Sequence, residues 1–142
     1  MVQALDASVT DVFDERAGQT AGTAPPEGVR PAVVVGRAGG SAPVTLEGGV
    51  VFRRLSPGPL AGADLFESTY PPGALATGVD ELVTHAGYEV GTVSTGELTI
   101  DFPDERVVLR AGDSVTFPCD LPHRLGNLGE VAAVATWLIV HP

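Results

Sequence analysis

The sequence predicts an all-β fold, built as a sandwich or barrel of antiparallel strands. Short runs rich in Val, Leu, Ile, Thr or Phe recur from residue 29 onward, and each is bounded by Gly, Pro or Asp. The 142 residues include 18 glycines and 12 prolines, which divide the chain into short segments and disfavour long helices. The longest apolar run, Val131 to Val140, is too short to span a bilayer and is typical of a buried strand.

The chain divides into an N-terminal arm and a barrel domain. Acidic and small residues dominate positions 1–30, and the stretch from Gly18 to Pro26 has the composition of a flexible linker. We therefore assign residues 1–30 to a flexible arm and residues 31–142 to one domain, a length that suits a single core. The segments predicted as strands are Pro31 to Val35, Gly49 to Leu55, Asp64 to Tyr70, Tyr88 to Ser94, Glu97 to Phe102, Arg106 to Leu109, Ser114 to Pro118 and Val131 to Val140.

Two turns predict how neighbouring strands connect. Ser94-Thr95-Gly96 separates two strand-like runs, which predicts a hairpin in which Gly96 supplies a positive backbone φ. The turn Pro103-Asp104-Glu105 predicts a second hairpin onto the run that begins at Arg106. Together the two turns predict a meander in the centre of the domain.

The charge balance excludes several functions. There are 18 acidic and 8 basic side chains, a formal net charge of −10, and every basic residue is arginine. A nucleic-acid partner would need clustered positive charge, and an anionic membrane surface is disfavoured for the same reason. The absence of lysine excludes a Schiff base and a phosphate-loop lysine. The single cysteine, Cys119, cannot form an internal disulfide, and the start of the sequence does not resemble an export signal, so we expect a cytoplasmic protein.

One pair of residues combines a histidine and a carboxylate at informative spacing. His85 and Glu89 are four residues apart in a glycine- and valine-rich segment, which disfavours a helix, and an even separation along a strand puts both side chains on one face. The same face carries Gly91 and Val93, which indicates that it points inward. A carboxylate directed into an apolar interior is costly unless it is paired or coordinates a metal.

A second histidine lies in a segment that resembles a known motif. The spacing of Gly112, Pro118, His123 and Asn127 matches the second motif of the cupin superfamily, with Asp120 where glycine is usual. Cys119 falls in the turn of this segment rather than beside a base, so we do not expect it to be a catalytic thiol. Asn127 is expected to shape the turn after His123.

The earlier segment resembles the first cupin motif. The separation of Glu89 and Gly96 matches the end of that motif, His85 falls on its second histidine, and Val83 stands where its first histidine is usual. The stretch is most similar to the cupin domains of helix-turn-helix regulators and to those of phosphonate epoxidases. The resemblance implies a double-stranded β-helix, the cupin jelly-roll barrel, which often dimerises, so we expect a homodimer.

Carried over by position, the resemblance makes His85, Glu89 and His123 a two-histidine, one-carboxylate metal site. Such a site leaves coordination positions open and is associated with non-haem Fe(II), while Mn, Ni or Zn also suit these ligands. Alternatively, the three residues are remnants within a metal-free barrel, hydrogen-bonded to one another.

Three functions are compatible with these features. The first is a stand-alone sensory barrel that binds a small molecule at the metal without turning it over. The second is a mononuclear Fe or Mn enzyme, such as an oxygenase, epoxidase, isomerase or cyclase. The third is a structural or partner-binding barrel without a metal. His141, next to the C-terminal Pro142, is expected to be a solvated end residue.

Overall fold

The described part of the chain is built from strands alone. The computed structural model describes residues 33–46, 48–58, 60–76 and 81–142, which contain nine β-strands and no helix. The strands are β1 (Val44–Thr45), β2 (Val51–Arg54), β3 (Ala63–Tyr70), β4 (Tyr88–Thr95), β5 (Glu97–Asp101), β6 (Arg106–Arg110), β7 (Ser114–Pro118), β8 (Arg124–Gly126) and β9 (Ala133–Val140). The all-β prediction is therefore confirmed. The arm assigned to residues 1–30 lies outside the described residues.

Two antiparallel sheets enclose one core. The larger sheet has the order β1-β2-β3-β9-β4-β7, and the smaller has the order β6-β5-β8. Residues alternate between buried and more exposed along β9, so one face of this central strand points into the barrel. Trp137 from the larger sheet and Leu98 and Ile100 from the smaller sheet belong to the same buried cluster. The arrangement is the double-sheet jelly roll that the sequence predicted.

The predicted meander is wrong at its first turn. Strands β4 and β5 do not pair, because β7 and β9 occupy the two edges of β4 while β6 and β8 occupy those of β5. The chain instead passes from the larger sheet to the smaller one at Gly96, which has the expected positive φ of 74°. A register shift between Val93 and Thr95 precedes this crossing. The second predicted hairpin, between β5 and β6, is confirmed.

The other differences lie at the sheet edges. The predicted strand from Pro31 to Val35 is not found at positions 33–35, where the side chains are exposed and the backbone has no strand pairing. The edge of β2 is taken instead by the two-residue strand β1. Strands β1 and β8 were not predicted, because they are too short to show an alternating pattern. Within the described ranges, no helix has the length and apolar character needed to cross a membrane.

Candidate metal centre

Strand β4 carries Glu89 into the barrel. Along this strand Glu89, Gly91 and Val93 are buried while the residues between them are exposed, as the sequence predicted for an inward face. Glu89 is only 1% exposed. A carboxylate this deeply buried requires cationic or hydrogen-bonding groups around it, and two histidines and a cysteine lie close to it.

His85 reaches Glu89 from a loop. Strand β4 begins only at Tyr88, so the expected strand spacing is not what brings the two side chains together. The chain turns at Gly87, where φ is +105° and a Cβ atom would overlap the carbonyl oxygen of Val140. This turn folds the segment back so that the His85 Nε2 atom lies 3.8 Å from Glu89 Oε1. The predicted proximity is therefore present, produced by a glycine turn.

His123 lies near the same carboxylate oxygen. Its backbone forms an antiparallel bridge with Val83, with N–H to carbonyl bonds of 2.8 and 3.0 Å in the two directions. Its Nε2 atom lies 3.8 Å from Glu89 Oε1, and its side chain is 1% exposed. The His85 and His123 rings meet edge to face, with centroids 5.2 Å apart. Each histidine thus lies close to Glu89, but His123 is not in the group whose ligand atoms all lie within 4.8 Å of one another.

Backbone carbonyls orient both imidazole rings. His123 Nδ1 lies 2.8 Å from the carbonyl oxygen of Leu121, and His85 Nδ1 lies 3.2 Å from that of Ala86. A carbonyl oxygen only accepts hydrogen bonds, so each Nδ1 is assigned a proton. Each Nε2 is the ring nitrogen that lies 3.8 Å from Glu89 Oε1. This is the orientation that metal-bound histidines adopt when their second nitrogen donates to a carbonyl.

The donor set fits a divalent metal ion. An N–H···O hydrogen bond spans about 2.7–3.2 Å, so 3.8 Å is long for a direct bond between either Nε2 and the carboxylate. Two nitrogen or oxygen donors held about 2.0–2.2 Å from one ion at a tetrahedral angle lie about 3.3–3.6 Å apart, so each pair would close by about 0.2–0.5 Å when an ion binds. Two neutral imidazoles and a carboxylate are also a donor set that divalent transition metals prefer. The residues therefore fit a metal ion.

Cys119 is the residue at this site that the sequence analysis missed. It does lie in the turn after β7, as expected, but it is fully buried, and its Sγ atom lies 3.8 Å from Glu89 Oε1. One ligand atom each from His85, Glu89 and Cys119 lie within 4.8 Å of one another. The available signal was its position, immediately after Pro118 and four residues before His123.

The remaining polar residues of the two motifs have structural roles. The Asn127 side chain is fully buried and donates to the carbonyls of Tyr70 and Val131, at 2.8 and 2.7 Å, while accepting from the Gly129 N–H. It shapes the turn, as predicted. His141 differs from its expected solvated state, because its Nε2 lies 2.7 Å from Asp64 Oδ2.

A charged cluster lies near the site on the smaller sheet. Asp101 accepts hydrogen bonds from Arg106 at 2.6 Å and from Arg124 at 2.8 Å. The hydrogen bond from Arg106 is the main reason that the pKa of Asp101 lies below its usual value, with Arg124 adding to the effect. Arg124 directly follows His123, and successive residues of an extended chain point to opposite faces. The cluster therefore belongs to the opposite face of this segment from the His123 ring.

Comparison with known proteins supports the assignment of the fold. The family model Cupin_2, described as a cupin domain, matches residues 66–139. This match covers both motifs and strands β4 to β8. No curated protein gives a significant match to the chain.

Several solved structures share the architecture. The Cupin_2 domain of an XRE-family transcriptional regulator from Enterobacter cloacae is 28% identical, with 66% of this chain and 97% of that chain covered and a TM-score of 0.57. A predicted oxalate decarboxylase from Thermotoga maritima is 20% identical, with 77% and 100% covered and a TM-score of 0.64. A Cupin 2 conserved barrel domain protein from Salinispora arenicola is 21% identical, with 82% and 90% covered and a TM-score of 0.57. The last two support the fold alone.

Proposed function

This chain belongs to the cupin domain family Cupin_2, and we propose that its barrel binds a small molecule at a divalent metal ion held by His85, Glu89 and His123. The observation that carries the proposal is the convergence of two Nε2 atoms on one buried carboxylate oxygen, each at 3.8 Å. Fe(II) is the metal we favour, with Mn, Ni or Zn as alternatives.

The chain's own residues would prepare the site. Leu121 and Ala86 fix the two imidazole tautomers through their carbonyls, so little reorganisation is needed before the Nε2 atoms bind. Burial removes the Glu89 carboxyl group from solvent, so its charged form requires a cation or hydrogen-bond donors beside it. When bound, the ion would supply a Lewis acid with positions open to a donor atom of the ligand.

The role we propose is sensory rather than catalytic. The 28% identical domain from Enterobacter cloacae is part of a transcriptional regulator, which supports ligand binding without turnover. The enzyme alternative, a mononuclear Fe or Mn oxygenase, epoxidase, isomerase or cyclase, predicts consumption of substrate. The formal net charge of −10 favours a small-molecule ligand over nucleic acid.

Metal content and the Glu89→Gln variant test the site. Purified without an affinity metal column and reconstituted anaerobically, the wild-type chain should bind about one equivalent of metal. Glu89→Gln should lose at least roughly tenfold in affinity while remaining folded, because an amide replaces the only anionic ligand of the proposed three. Glu67→Gln makes the same chemical change at a partly exposed ion pair with Arg53 and should bind metal normally. Less than about a tenth of an equivalent in wild type, or full occupancy in Glu89→Gln, would contradict the proposal.

Ligand screening separates sensor from enzyme. The melting temperature of the metal-loaded protein is measured with a panel of small acids, amines and phosphonates. Oxygen uptake and loss of each compound are measured in separate samples below that temperature. A ligand that raises the melting temperature without being consumed supports the sensory role. Consumption of a panel member that requires Glu89 would support the enzyme instead.

We also propose that the barrel forms a homodimer. The outer face of β4 and β9 exposes Tyr88, Val90 and Val140, and Tyr88 and Val140 are register partners. This apolar surface at the centre of the larger sheet supports self-association. A monomer mass by light scattering would contradict it.

A further inference from the structure

The buried thiol of Cys119 points to a further protein ligand. We propose that Cys119 binds the metal through its Sγ atom beside His85 and Glu89, the three residues whose ligand atoms lie within 4.8 Å of one another, giving a mixed nitrogen, oxygen and sulfur site. This inference rests on the proposed metal site and deepens it by naming a further donor and the metals that it would favour.

The position of the sulfur is the first argument. Cys119 Sγ lies 3.8 Å from Glu89 Oε1, the same separation that each histidine Nε2 has from that oxygen. The residue is fully buried, so its side chain faces the protein interior rather than solvent. A thiolate sulfur and a carboxylate oxygen on one tetrahedral ion lie about 3.5–3.7 Å apart, so the observed separation would close by about 0.1–0.3 Å when an ion binds.

The backbone holds Cys119 in a fixed relation to His85. The Cys119 N–H donates to the carbonyl of Gly87 at 2.8 Å, and the Cys119 carbonyl accepts from the His85 N–H at 3.0 Å. The sulfur and the His85 ring therefore come from two segments that are joined by two backbone hydrogen bonds at Cys119. Such anchoring lowers the conformational entropy lost when both side chains bind one ion.

Val83 leaves the segment paired with His123 without a further donor. Val83 is buried and forms an antiparallel bridge with His123, so the two side chains lie on the same face. A valine there offers no donor atom, whereas the Cys119 Sγ atom lies 3.8 Å from Glu89 Oε1.

The chemistry of the thiol determines which metals fit. Binding forms a metal–sulfur bond and breaks the S–H bond, and the proton is released to the buffer. A thiolate is a soft ligand that favours Zn(II), Fe(II) or Co(II) over Mn(II). The wild-type protein should therefore prefer Zn(II) over Mn(II) by a wider margin than a variant without the sulfur.

Cobalt substitution tests the proposal directly. Cys119 is the only cysteine, so in thiol-free buffer any thiolate-to-cobalt charge-transfer band in the near ultraviolet must come from it. Wild-type protein and the Glu67→Gln control should show the band on addition of one equivalent of Co(II). Cys119→Ser and Cys119→Ala should lose it. Cys119→Ala should also bind Zn(II) at least roughly tenfold more weakly, since even groups that only orient ligands contribute about 10–100-fold.

The outcomes separate this inference from the metal site itself. If wild type binds Co(II) and this binding requires Glu89, but no charge-transfer band appears, then ligation by Cys119 is overturned and the three-residue site remains intact. No binding of Co(II) or Zn(II) would overturn both. The wild-type spectrum alone decides the question, so the test survives if either cysteine variant fails to fold.

Discussion

Replacing Gly91 with alanine should destabilise the barrel where β4 crosses β9. Gly91 is the register partner of Trp137, and a Cβ atom at this position would lie 2.8 Å from the indole Cδ2 and closer still to Cε3 and Cζ3. The indole cannot move freely, because it is 1% exposed and its Nε1 donates a 2.9 Å hydrogen bond to the buried Ser68 hydroxyl.

The expected loss of free energy of unfolding follows from these contacts. Carbon atoms in contact prefer about 3.5–4.0 Å, so the ring or the strand must move by roughly 1 Å or more. Inserting a methyl group into a packed core costs about 1–3 kcal/mol. Weakening the hydrogen bond to Ser68 leaves two buried polar groups poorly satisfied and adds about 1 kcal/mol. We expect Gly91→Ala to lower the free energy of unfolding by about 2–4 kcal/mol, a large part of the about 5–15 kcal/mol typical of a domain.

Urea unfolding followed by fluorescence measures this loss. Trp137 is the only tryptophan, so its emission reports both global unfolding and the displaced ring in the native state. Gly58→Ala is the matched control, since a Cβ atom there meets nothing closer than 4.0 Å, and its stability should stay within about 1 kcal/mol of wild type. A loss below about 1 kcal/mol for Gly91→Ala, with the native emission unchanged, would refute the packing described here.

Two further substitutions test contacts away from the candidate metal centre. Asn127→Ala removes three side-chain hydrogen bonds to the backbone, one buried and two partly buried, and should cost about 2–3 kcal/mol in urea unfolding; a loss below about 1 kcal/mol would contradict the role of Asn127 in the turn. Asp101→Asn tests a pH effect. The hydrogen bond from Arg106 holds the pKa of Asp101 below its ordinary value of 3.8. The ionised carboxylate therefore stabilises the folded state above that value, and this stabilisation is lost as the pH falls through the lowered pKa. The stability difference between wild type and Asp101→Asn should therefore be constant near neutral pH and shrink on acidification below about pH 4, and a difference that does not change with pH would contradict it.

The sequence was most informative where an apolar run extends over several positions. Strand β9 was predicted from such a run within two residues at its start, and the structure buries every second residue along most of it. The prediction failed for β1, because two residues carry no period, and for Val33 to Val35, because β-branched residues favour a strand only where a partner edge is available. The turn at Gly96 was recognised, but a turn does not reveal that both edges of each flanking strand are already occupied.

The candidate site shows the same division between local and distant information. His85 and Glu89 are close in sequence, so their proximity was predicted, although by strand spacing rather than by the turn at Gly87 that produces it. His123 was found through motif spacing alone. Cys119 was passed over because its distance from Glu89 depends on the pairing of β4 with β7, which no local pattern encodes.

That pairing links the stability of the barrel to the geometry of the candidate metal centre. Strand β4 lies between β7 and β9. Strand β7 leads into Cys119 and His123, and Gly91 of β4 packs against Trp137 of β9. Glu89 is two residues from Gly91 on the same inward face, and a shift of one residue would turn its carboxylate out of the barrel. The small size of Gly91 thus lets β4 lie close against the indole in the register that keeps Glu89 inside. The separations of 3.8 Å around Glu89 Oε1 therefore depend on a packing contact that contains no donor atom of the site.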